Sequence, residues 1–274
     1  MSAATIAATL AAARAAGVDR LDALVLLEQV TGRPRTWLLA HDETPLESAA
    51  AQRFAELRAR RAAGEPLAYL LGEREFHGLW LRVTPEVLIP RPDTETLVDW
   101  ALELLAADAT TAVADLGTGS GAIALALKRA RPSAAVCAID ASPAALTVAR
   151  ANGERLGLAV EWLHSDWWCA LAGRRFGLVL SNPPYLAEDD EHLAALRYEP
   201  RQALTSGAEG LDAIRAIVEG APARLEVGAW LLIEHGHLQA GPVRAVLQAA
   251  GFEALCSRAD LAGHPRVTGG RWPG

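Results

Sequence analysis

The sequence predicts an α/β protein with an all-helical domain ahead of its sheet. From residue 112 onward, short apolar runs alternate with longer segments of helical periodicity, which is typical of a mostly parallel sheet with helices on both faces. Residues 1–75 show helical periodicity alone, and alternating residues around His77-Gly78 predict a β-hairpin. We therefore expect a helical domain over 1–75, a hairpin and linker over 76–92, and an α/β domain over 93–274.

The helices of the first domain are delimited by residues that commonly begin or end helices. A first helix starts near Ile6 and ends at Gly17, and Asp19 is placed to cap the next helix. The remaining elements expected here are a second helix that ends at Gly32, a short turn over 36–40 and a longer helix over 46–63. The longer helix carries four arginines on its outer face, which fits either a solvated surface or a docking surface for an acidic partner.

Seven strands and five helices are expected in the α/β domain. The segment Ile89 to Glu95 is stiffened by two prolines, and Asp93 or Thr94 can cap the helix that follows. The expected helices cover 95–106, 122–131, 143–156, 211–224 and 242–250. The expected strands cover 112–116, 135–139, 160–164, 176–180, 229–234, 253–257 and 266–271. Since open α/β sheets bind ligands at the carboxyl ends of their strands, the segments after these strands are the candidates for a site.

Charge and cysteine content limit the classes of protein to which the chain can belong. The formal net charge is −7. Proteins that bind nucleic acid mainly through its phosphates usually present a basic face. We therefore expect no direct nucleic-acid partner. The three cysteines are odd in number and far apart, which favours free thiols over disulfides or a zinc site. No apolar run reaches the roughly 18 residues of a membrane span, and the N-terminus lacks the features of a signal peptide. We expect a cytoplasmic monomer with no membrane contact and no metal.

A glycine-rich turn, Asp115-Leu-Gly-Thr-Gly-Ser-Gly-Ala122, joins the first strand of the α/β domain to the next helix. Its glycines let the backbone approach a ligand close to a helix N-terminus, a pattern that also fits a dinucleotide fingerprint. However, Asp115 would repel a pyrophosphate and would suit a cationic amino acid moiety. Asp140 ends the second strand, where a carboxylate can accept both hydroxyls of a ribose, although it can also cap the helix after Ser142.

These two motifs resemble the S-adenosylmethionine site of class I methyltransferases. The resemblance implies a Rossmann-like domain with a seven-stranded, mostly parallel sheet, and S-adenosylmethionine as the cofactor. In such enzymes the end of the third strand offers a carboxylate and an apolar surface to the adenine, here Asp166 and one of Trp167 and Trp168. We assign Trp167 to the adenine and Trp168 to the core, although the sequence alone does not separate them. The implied cofactor contacts are Asp115, Gly117, Thr118, Gly119, Ser120, Gly121, Asp140, Asp166, Trp167 and Asn182.

The segment Asn182-Pro-Pro-Tyr185, here named the acceptor elbow, follows the fourth strand. Two consecutive prolines cannot continue a sheet ladder, and a residue before proline is held extended, so the strand stops in a stiff turn. By itself such a turn is equally compatible with a purely structural role. Downstream of a methyl-donor site, it looks like the motif of methyltransferases that act on a planar, conjugated NH2 group.

The residue types of the acceptor elbow suit this chemistry, because a conjugated nitrogen is a poor nucleophile. The Asn182 side-chain oxygen and the Pro183 carbonyl can accept both N–H bonds, which orients the nitrogen and favours the positive charge that develops on it. Tyr185 can lie against the flat group, and Pro184 completes the expected substrate-binding segment. We expect Asn182, Pro183 and Tyr185 to be catalytic, with neither a metal nor a strong general base required.

Three acceptors fit this chemistry: a DNA base, an RNA base or a glutamine side chain. A DNA enzyme needs a target-recognition insert and a basic cleft, whereas the loop over 186–202 is rich in acidic residues. A catalytically silent module with the same fold is a further alternative, and the intact donor and acceptor motifs count against it.

Five motifs in a fixed order make the resemblance more specific. They are Ile89-Pro-Arg-Pro-Asp-Thr-Glu95, Asp115-Leu-Gly-Thr-Gly-Ser-Gly-Ala-Ile-Ala124, Ser181-Asn-Pro-Pro-Tyr185, Tyr198-Glu-Pro-Arg-Gln-Ala-Leu204 and Glu234-His-Gly236. Over essentially the whole chain, they resemble the HemK/PrmC family of peptide chain release factor glutamine methyltransferases. This resemblance implies methylation of the glutamine of the Gly-Gly-Gln motif of class I release factors, which modulates translation termination. It also implies that the helical domain helps to hold the release factor.

Three further features have roles that the sequence leaves open. The run Glu234-His-Gly-His237 resembles a metal or catalytic cluster, but the absence of a third ligand favours a structural role for His235. Arg91 either covers the bound cofactor or belongs to a linker that only joins the two domains. The segment Tyr198-Glu-Pro200 is expected to shape the mouth of the substrate site.

Overall fold

Five helices form the first of two units of the chain in the computed structural model, which describes residues 4–274. They are α1 (Ile6–Ala15), α2 (Arg20–Thr31), α3 (Arg35–Ala40), α4 (Ser48–Ala62) and α5 (Leu67–Leu71). Their apolar faces meet in a buried cluster that includes Leu26, Leu27 and Phe54. Asp19 caps α2 as predicted, because its carboxylate accepts a hydrogen bond from the Leu21 N–H at 2.7 Å.

Two elements of this unit differ from the sequence prediction. Residues 36–40, predicted as a turn, belong to helix α3, which begins directly after Pro34 has fixed the backbone. Helix α5 was not predicted, because five residues are too few to show a helical period. Its boundaries follow ordinary rules, since Pro66 precedes it and Gly72 ends it at a φ of 76°.

The arginines on the outer face of α4 are largely paired within the unit. The pairs are Arg53 with Glu56, Arg60 with Glu65 and Arg61 with Asp22. Because these carboxylates offset much of the positive charge, the pairing favours a solvated face over a docking surface for an acidic partner.

The second unit spans Arg74–Gly274 and opens with the predicted hairpin. Its strands are β1 (Glu73–Phe76) and β2 (Leu79–Arg82). The turn residues His77 and Gly78 have φ values of 48° and 74°, as a two-residue hairpin turn with two left-handed residues requires. The hairpin is therefore grouped with the α/β residues, whereas 76–92 was predicted to be a separate hairpin and linker.

A seven-stranded sheet forms the centre of the second unit, as predicted. Its strands are β3 (Ala112–Leu116), β4 (Ala135–Asp140), β5 (Glu161–His164), β6 (Phe176–Ser181), β7 (Leu225–Glu234), β8 (Glu253–Ala259) and β9 (Pro265–Arg271). The helices are α6 (Glu95–Leu104), α7 (Ala122–Ala130), α8 (Pro143–Leu156), α9 (Asp212–Gly220) and α10 (Ala240–Ala249). Separate apolar clusters pack on the two faces of the sheet, one around Trp100 and the other around Phe252.

The strand order decides where a ligand can bind. The order is β5-β4-β3-β6-β7-β9-β8, and β9 alone runs antiparallel to its neighbours. The chain adds β4 and β5 on one side of β3 and then returns to place β6 on the other side. A crevice forms at the carboxyl ends of strands where such a change of side occurs, here between β3 and β6.

The boundaries of two later elements were predicted less well. Strand β7 begins at Leu225, earlier than the expected residue 229, because its pairing with β6 runs through a register shift near Phe176. Helix α9 ends at Gly220 instead of reaching residue 224. No helix in the described part of the chain is long and apolar enough to cross a membrane.

A substitution at Gly220 tests the packing beneath the loop that follows β5. A Cβ at this position would lie 2.1 Å from Cδ1 of Trp168, whose Nε1 donates a hydrogen bond to the Ile217 carbonyl at 3.0 Å. Because the buried ring would have to move, we expect Gly220→Ala to lower the free energy of unfolding by about 1–3 kcal/mol. Urea denaturation followed by circular dichroism measures this change.

Gly241→Ala provides a matched control for this substitution. Gly241 also lies in a helix, but nothing occupies the space within 4 Å of its Cβ position. Alanine there should stabilise the protein by roughly 0.5–1 kcal/mol, because it reduces the entropy of the unfolded chain. Equal effects of the two substitutions would contradict the packing described for Trp168.

Candidate active site

A cavity lies at the carboxyl ends of β3, β4 and β6, where the chain changes side in the sheet. Its wall combines the segments that follow these strands with the loop after β5. These segments supply Gly117–Ser120, Asp140–Ser142, Ser165–Trp167, Asn182 and Pro184. Residues of the segment 86–91, here named the roof segment, also line the cavity, as do Pro200, Gln202 and Ala203.

The glycine-rich turn is fastened to the neighbouring strand β4. The backbone N–H groups of Gly117 and Thr118 both donate to the Ile139 carbonyl at 2.9 Å. Gly119, whose φ is 56°, donates its N–H to Oδ2 of Asp140 at 2.8 Å. A side chain at Gly117 would reach towards the Trp167 ring, so the glycine keeps this part of the cavity open.

Asp115 lies beneath the glycine-rich turn and does not line the cavity. Its Oδ2 accepts hydrogen bonds from the Thr118 hydroxyl at 2.6 Å and from the Ala124 N–H at 3.2 Å. Burial raises the pKa of Asp115 to about 7. Its Oδ1 is buried and has no hydrogen-bond partner among the described residues.

Asp140 lines the cavity at the end of β4, as the sequence analysis expected. Its Oδ1 accepts a hydrogen bond from the Ser142 N–H at 2.8 Å, while Oδ2 accepts the bond from Gly119. Burial raises the pKa of this carboxyl group. A carboxylate has about four lone-pair sites, so Asp140 can hold the turn and still accept two ribose hydroxyls. The helix after Ser142 is capped by the Ser142 side chain itself.

The two tryptophans after β5 occupy different environments. Trp168 is buried, packs among apolar residues and donates from Nε1 to the Ile217 carbonyl. Trp167 is half-buried and lines the cavity beside Asp166, and its φ of 40° turns the backbone sharply at this point. The structure thus places Trp167 at the cavity and Trp168 in the core, and contact with adenine remains a prediction.

The acceptor elbow begins where β6 ends. The Ser181 hydroxyl donates to the Leu116 carbonyl at 2.7 Å, which ties the end of β6 to the end of β3. Asn182 then lines the cavity, and its Nδ2 donates to the Thr94 hydroxyl at 3.2 Å. With the nitrogen directed towards Thr94, the Asn182 oxygen is available as an acceptor. Thr94, which also lines the cavity, was predicted only as a possible helix cap, because no local pattern indicates its contact with Asn182.

The other residues of the acceptor elbow divide between the cavity and its surroundings. Pro184 lines the cavity, whereas Pro183 and Tyr185 do not. The Tyr185 hydroxyl donates to Oε1 of Glu234 at 3.5 Å, and the Tyr185 carbonyl accepts from the Gln239 side chain at 3.0 Å. Burial raises the pKa of Tyr185 well above its ordinary value, so its hydroxyl stays protonated. The structure therefore places Asn182 in the wall of the cavity at the carboxyl ends of β3, β4 and β6, here named the donor cavity. Tyr185 lies outside this wall and is held by Glu234 and Gln239.

Glu199 joins the loop after the acceptor elbow to the roof segment. Its buried carboxylate accepts a hydrogen bond from the Ile89 N–H at 3.0 Å and forms an ion pair with Arg91. Arg91, whose role the sequence left open, lines the cavity. Sequence reasoning placed Tyr198 to Pro200 at the substrate mouth but did not detect this bond, because its partners are 110 residues apart in the chain.

His235 is a structural residue. It is fully buried; its Nδ1 lies 2.8 Å from the Gly236 carbonyl and its Nε2 lies 2.7 Å from the Thr268 hydroxyl. Burial lowers the pKa of this imidazole and favours its neutral form. Within residues 4–274, no group of three or more histidine, cysteine or acidic side chains is arranged to hold a metal ion.

The residues around the cavity fit S-adenosylmethionine. Asp140 offers acceptors for ribose hydroxyls and Trp167 offers an aromatic surface, and both line the cavity. Asp115 is fully buried beneath the glycine-rich turn, so its contact with the cofactor stays a prediction. The open backbone at Gly117 leaves room for a ligand close to the N-terminus of α7.

Two family models match the chain. The model for the PrmC N-terminal domain matches residues 4–72, and the model for the Methyltransferase small domain matches residues 94–211. Together these ranges cover more than half of the chain. They correspond to the helical unit and to the part of the α/β unit that carries the cavity.

Similar proteins are found among curated sequences and solved structures. The release factor glutamine methyltransferase of Bordetella pertussis is 52% identical over 93% of this chain and 95% of its own length. The protein of the same name from Burkholderia pseudomallei is 52% identical over 95% of both chains. The structure of the 16S rRNA N2 G1207 methyltransferase (RsmC) of T. Thermophilus with AdoMet and guanosine gives a TM-score of 0.56 at 22% identity, over 73% of this chain and 49% of that chain. The RsmC comparison shows the fold alone. Taken together, the matches confirm the predicted class I methyltransferase fold and the predicted cofactor.

A charge-neutralising substitution at Glu199 tests whether the roof segment contributes to cofactor binding. In Glu199→Gln the amide oxygen can still accept from the Ile89 N–H, but the ion pair with Arg91 is lost. We expect the Kd for S-adenosylmethionine to rise about 5- to 10-fold, the effect of losing one charge-assisted hydrogen bond. Isothermal titration calorimetry measures the Kd.

Asp189→Asn in the same loop removes the same charge from an exposed position. It should leave the Kd within about twofold of the wild-type value, because isolated surface charges contribute little. If Glu199→Gln binds the cofactor as tightly as Asp189→Asn does, then the roof segment does not depend on Glu199.

Proposed function

This chain belongs to the family of release factor glutamine methyltransferases, and we propose that it methylates the glutamine of the Gly-Gly-Gln motif of class I peptide chain release factors. The enzyme uses S-adenosylmethionine and modifies a glutamine side-chain amide nitrogen. One observation carries the proposal: Asn182 stands at the wall of the donor cavity with its nitrogen bonded to Thr94, so its oxygen can accept an N–H of an incoming amide.

The donor side of the reaction rests on groups that the fold already holds in place. S-adenosylmethionine supplies a methyl group activated by a sulfonium centre, so no nucleophilic side chain is needed. Asp140 would hold the ribose hydroxyls of this cofactor and Trp167 would cover its adenine, while Asp115 supports the glycine-rich turn from beneath. Because the glycine-rich turn is bonded to β4 through Ile139, these groups need little rearrangement when the cofactor binds.

The acceptor side holds the glutamine amide by its two N–H bonds. The Asn182 oxygen accepts one N–H, the Pro183 carbonyl accepts the other, and Tyr185 borders the planar group. The amide nitrogen forms a bond to the methyl carbon while the bond from that carbon to sulfur breaks. The nitrogen then loses one proton to water, and the two acceptors favour the positive charge that exists until this loss.

Surface features of each of the two units support a protein substrate. The loop after the acceptor elbow exposes Glu188, Asp189 and Glu191, which would repel a nucleic-acid backbone. On the helical unit, Leu21 and Leu39 are exposed beside Arg20 and Arg35, a combination of apolar and arginine side chains that is common at protein interfaces. These observations support binding of the release factor by residues 1–75.

The enzyme acts as a monomer in the cytoplasm, where its protein substrate serves translation termination, and it needs no direct contact with nucleic acid. Sedimentation of the purified protein with and without a class I release factor tests the monomer and a one-to-one complex with its substrate.

Radioactive S-adenosylmethionine tests the substrate. The purified enzyme is incubated with a class I release factor, with the same factor carrying alanine in place of the glutamine of its Gly-Gly-Gln motif, and with DNA. We expect label in the first protein only, and a mass increase of one methyl group on the glutamine-containing peptide. Label in DNA, or label in the alanine variant, would overturn the proposed substrate.

Removal of the acceptor side chain tests the mechanism. We expect Asn182→Ala to lower kcat by about 10²- to 10³-fold, the usual effect of removing one group that stabilises developing charge. The Kd for S-adenosylmethionine should change only modestly, because Asn182 mainly addresses the acceptor. Single-turnover kinetics and calorimetry measure the two quantities, and near-normal turnover would rule out the role assigned to Asn182.

A further inference from the structure

A buried asparagine in helix α8 joins two segments that border the donor cavity. Asn152 is 0% exposed and lies on the face of α8 that also buries Ala145 and Ala149. A polar side chain in such an apolar face is unfavourable unless hydrogen bonds compensate for the water it has lost. Asn152 does not itself line the donor cavity. It can therefore affect a bound cofactor only through the groups to which it is bonded.

One link runs from Asn152 to the hairpin. Its Oδ1 accepts a hydrogen bond from the Arg82 N–H at 2.7 Å, and its Nδ2 donates to the Arg82 carbonyl at 3.0 Å. The side-chain amide thus pairs with both backbone groups of the last residue of β2, as a residue of a neighbouring strand would. Only residues 83–85 separate this point from the roof segment, and the Val87 N–H closes a turn onto the Thr84 carbonyl at 3.1 Å. The bonds to Arg82 therefore fix the place where the roof segment begins.

The other link runs from Asn152 to the glycine-rich turn. The same Nδ2 also donates to the Ser120 carbonyl at 2.9 Å. Ser120 is 3% exposed and lines the donor cavity. Because a side-chain amide nitrogen carries two hydrogens, one serves the hairpin and the other serves the turn. A single buried side chain thus connects the turn on one side of the cavity to the strand that leads into the roof segment.

We propose that Asn152 is a positioning residue for S-adenosylmethionine, which fixes the start of the roof segment relative to the glycine-rich turn. Glu199 holds the other end of the roof segment, through the Ile89 N–H and the Arg91 side chain. The roof segment is thereby fastened on both sides, at Arg82 by Asn152 and at Arg91 by Glu199. This role involves the cofactor alone and is independent of the proposed protein substrate.

Asn152→Asp tests this role with almost no change in side-chain shape. One carboxylate oxygen can still accept from the Arg82 N–H, but the other replaces the N–H donors and faces the carbonyls of Arg82 and Ser120. Since repulsion replaces attraction at both links, we expect the Kd for S-adenosylmethionine to rise about 10-fold, as measured by isothermal titration calorimetry. Asn152→Ala brings no charge, so it provides the same test if the aspartate variant does not fold. Its Kd should rise about 3- to 10-fold.

Lys128→Met is the matched control for the loss of side-chain bonds to carbonyl groups. The Lys128 Nζ donates to the Pro132 and Ala134 carbonyls, each at 2.8 Å, and Lys128 does not line the donor cavity. We expect this variant to be less stable than the wild type but to keep its Kd for S-adenosylmethionine within about twofold, because independent sites do not couple. If both Asn152 variants bind the cofactor as tightly as Lys128→Met does, Asn152 only stabilises the fold and the proposal is wrong.

Hydrogen exchange of the ligand-free protein tests the link to the roof segment directly. In both Asn152 variants, the backbone amides of residues 83–91 should exchange faster than in the wild type, because the start of the roof segment is released. Lys128→Met should leave these rates unchanged. Mass spectrometry of peptic peptides measures them. Unchanged exchange in both Asn152 variants would overturn the positioning role, even if the enzyme methylates release factors as proposed. A lack of methylation alongside the expected exchange and Kd would overturn only the proposed substrate.

Discussion

The site depends on the adjacency of β3 and β6 at the centre of the sheet. Each strand ends in a segment that cannot continue the ladder: a glycine-rich turn after Leu116 and a double proline after Ser181. The two ends are tied by the hydrogen bond from the Ser181 hydroxyl to the Leu116 carbonyl at 2.7 Å. Since parallel strands in register place their carboxyl ends at the same level, methyl donor and methyl acceptor meet at one edge without any long connecting loop.

Four carboxylates, three of them buried, hold the segments around that edge in place. Asp115 supports the glycine-rich turn, Asp140 fastens it to β4, Glu199 holds the roof segment, and Glu234 lies behind the acceptor elbow. Burial of a carboxylate is unfavourable unless hydrogen bonds compensate for lost water, and in these places backbone N–H groups, hydroxyls or an arginine do so. The raised pKa values of Asp115 and Glu234, each about 7, reflect incomplete compensation.

Local sequence patterns predicted the parts of the fold that local physics determines. The strands β3 to β6, the glycine-rich turn and the acceptor elbow were recognised because apolar runs, glycines and prolines act within a few residues. Helix α5 was missed because it is shorter than the period that reveals helices. The contacts of Glu199 with Ile89 and of Thr94 with Asn182 were missed for another reason. Their partners are about a hundred residues apart, and only the folded sheet brings them together.

The asparagine at the acceptor position needs a partner that fixes the orientation of its side chain. A carboxylate would accept an N–H more strongly than an amide oxygen does. However, it would place a full negative charge beside a neutral substrate amide, and it could take up the proton that the product otherwise loses to water. An amide oxygen is a neutral acceptor, yet an amide can bind in two orientations, and only one presents the oxygen. Selecting the orientation requires a partner for the nitrogen end, and the Thr94 hydroxyl accepts a hydrogen bond from the Asn182 Nδ2 at 3.2 Å.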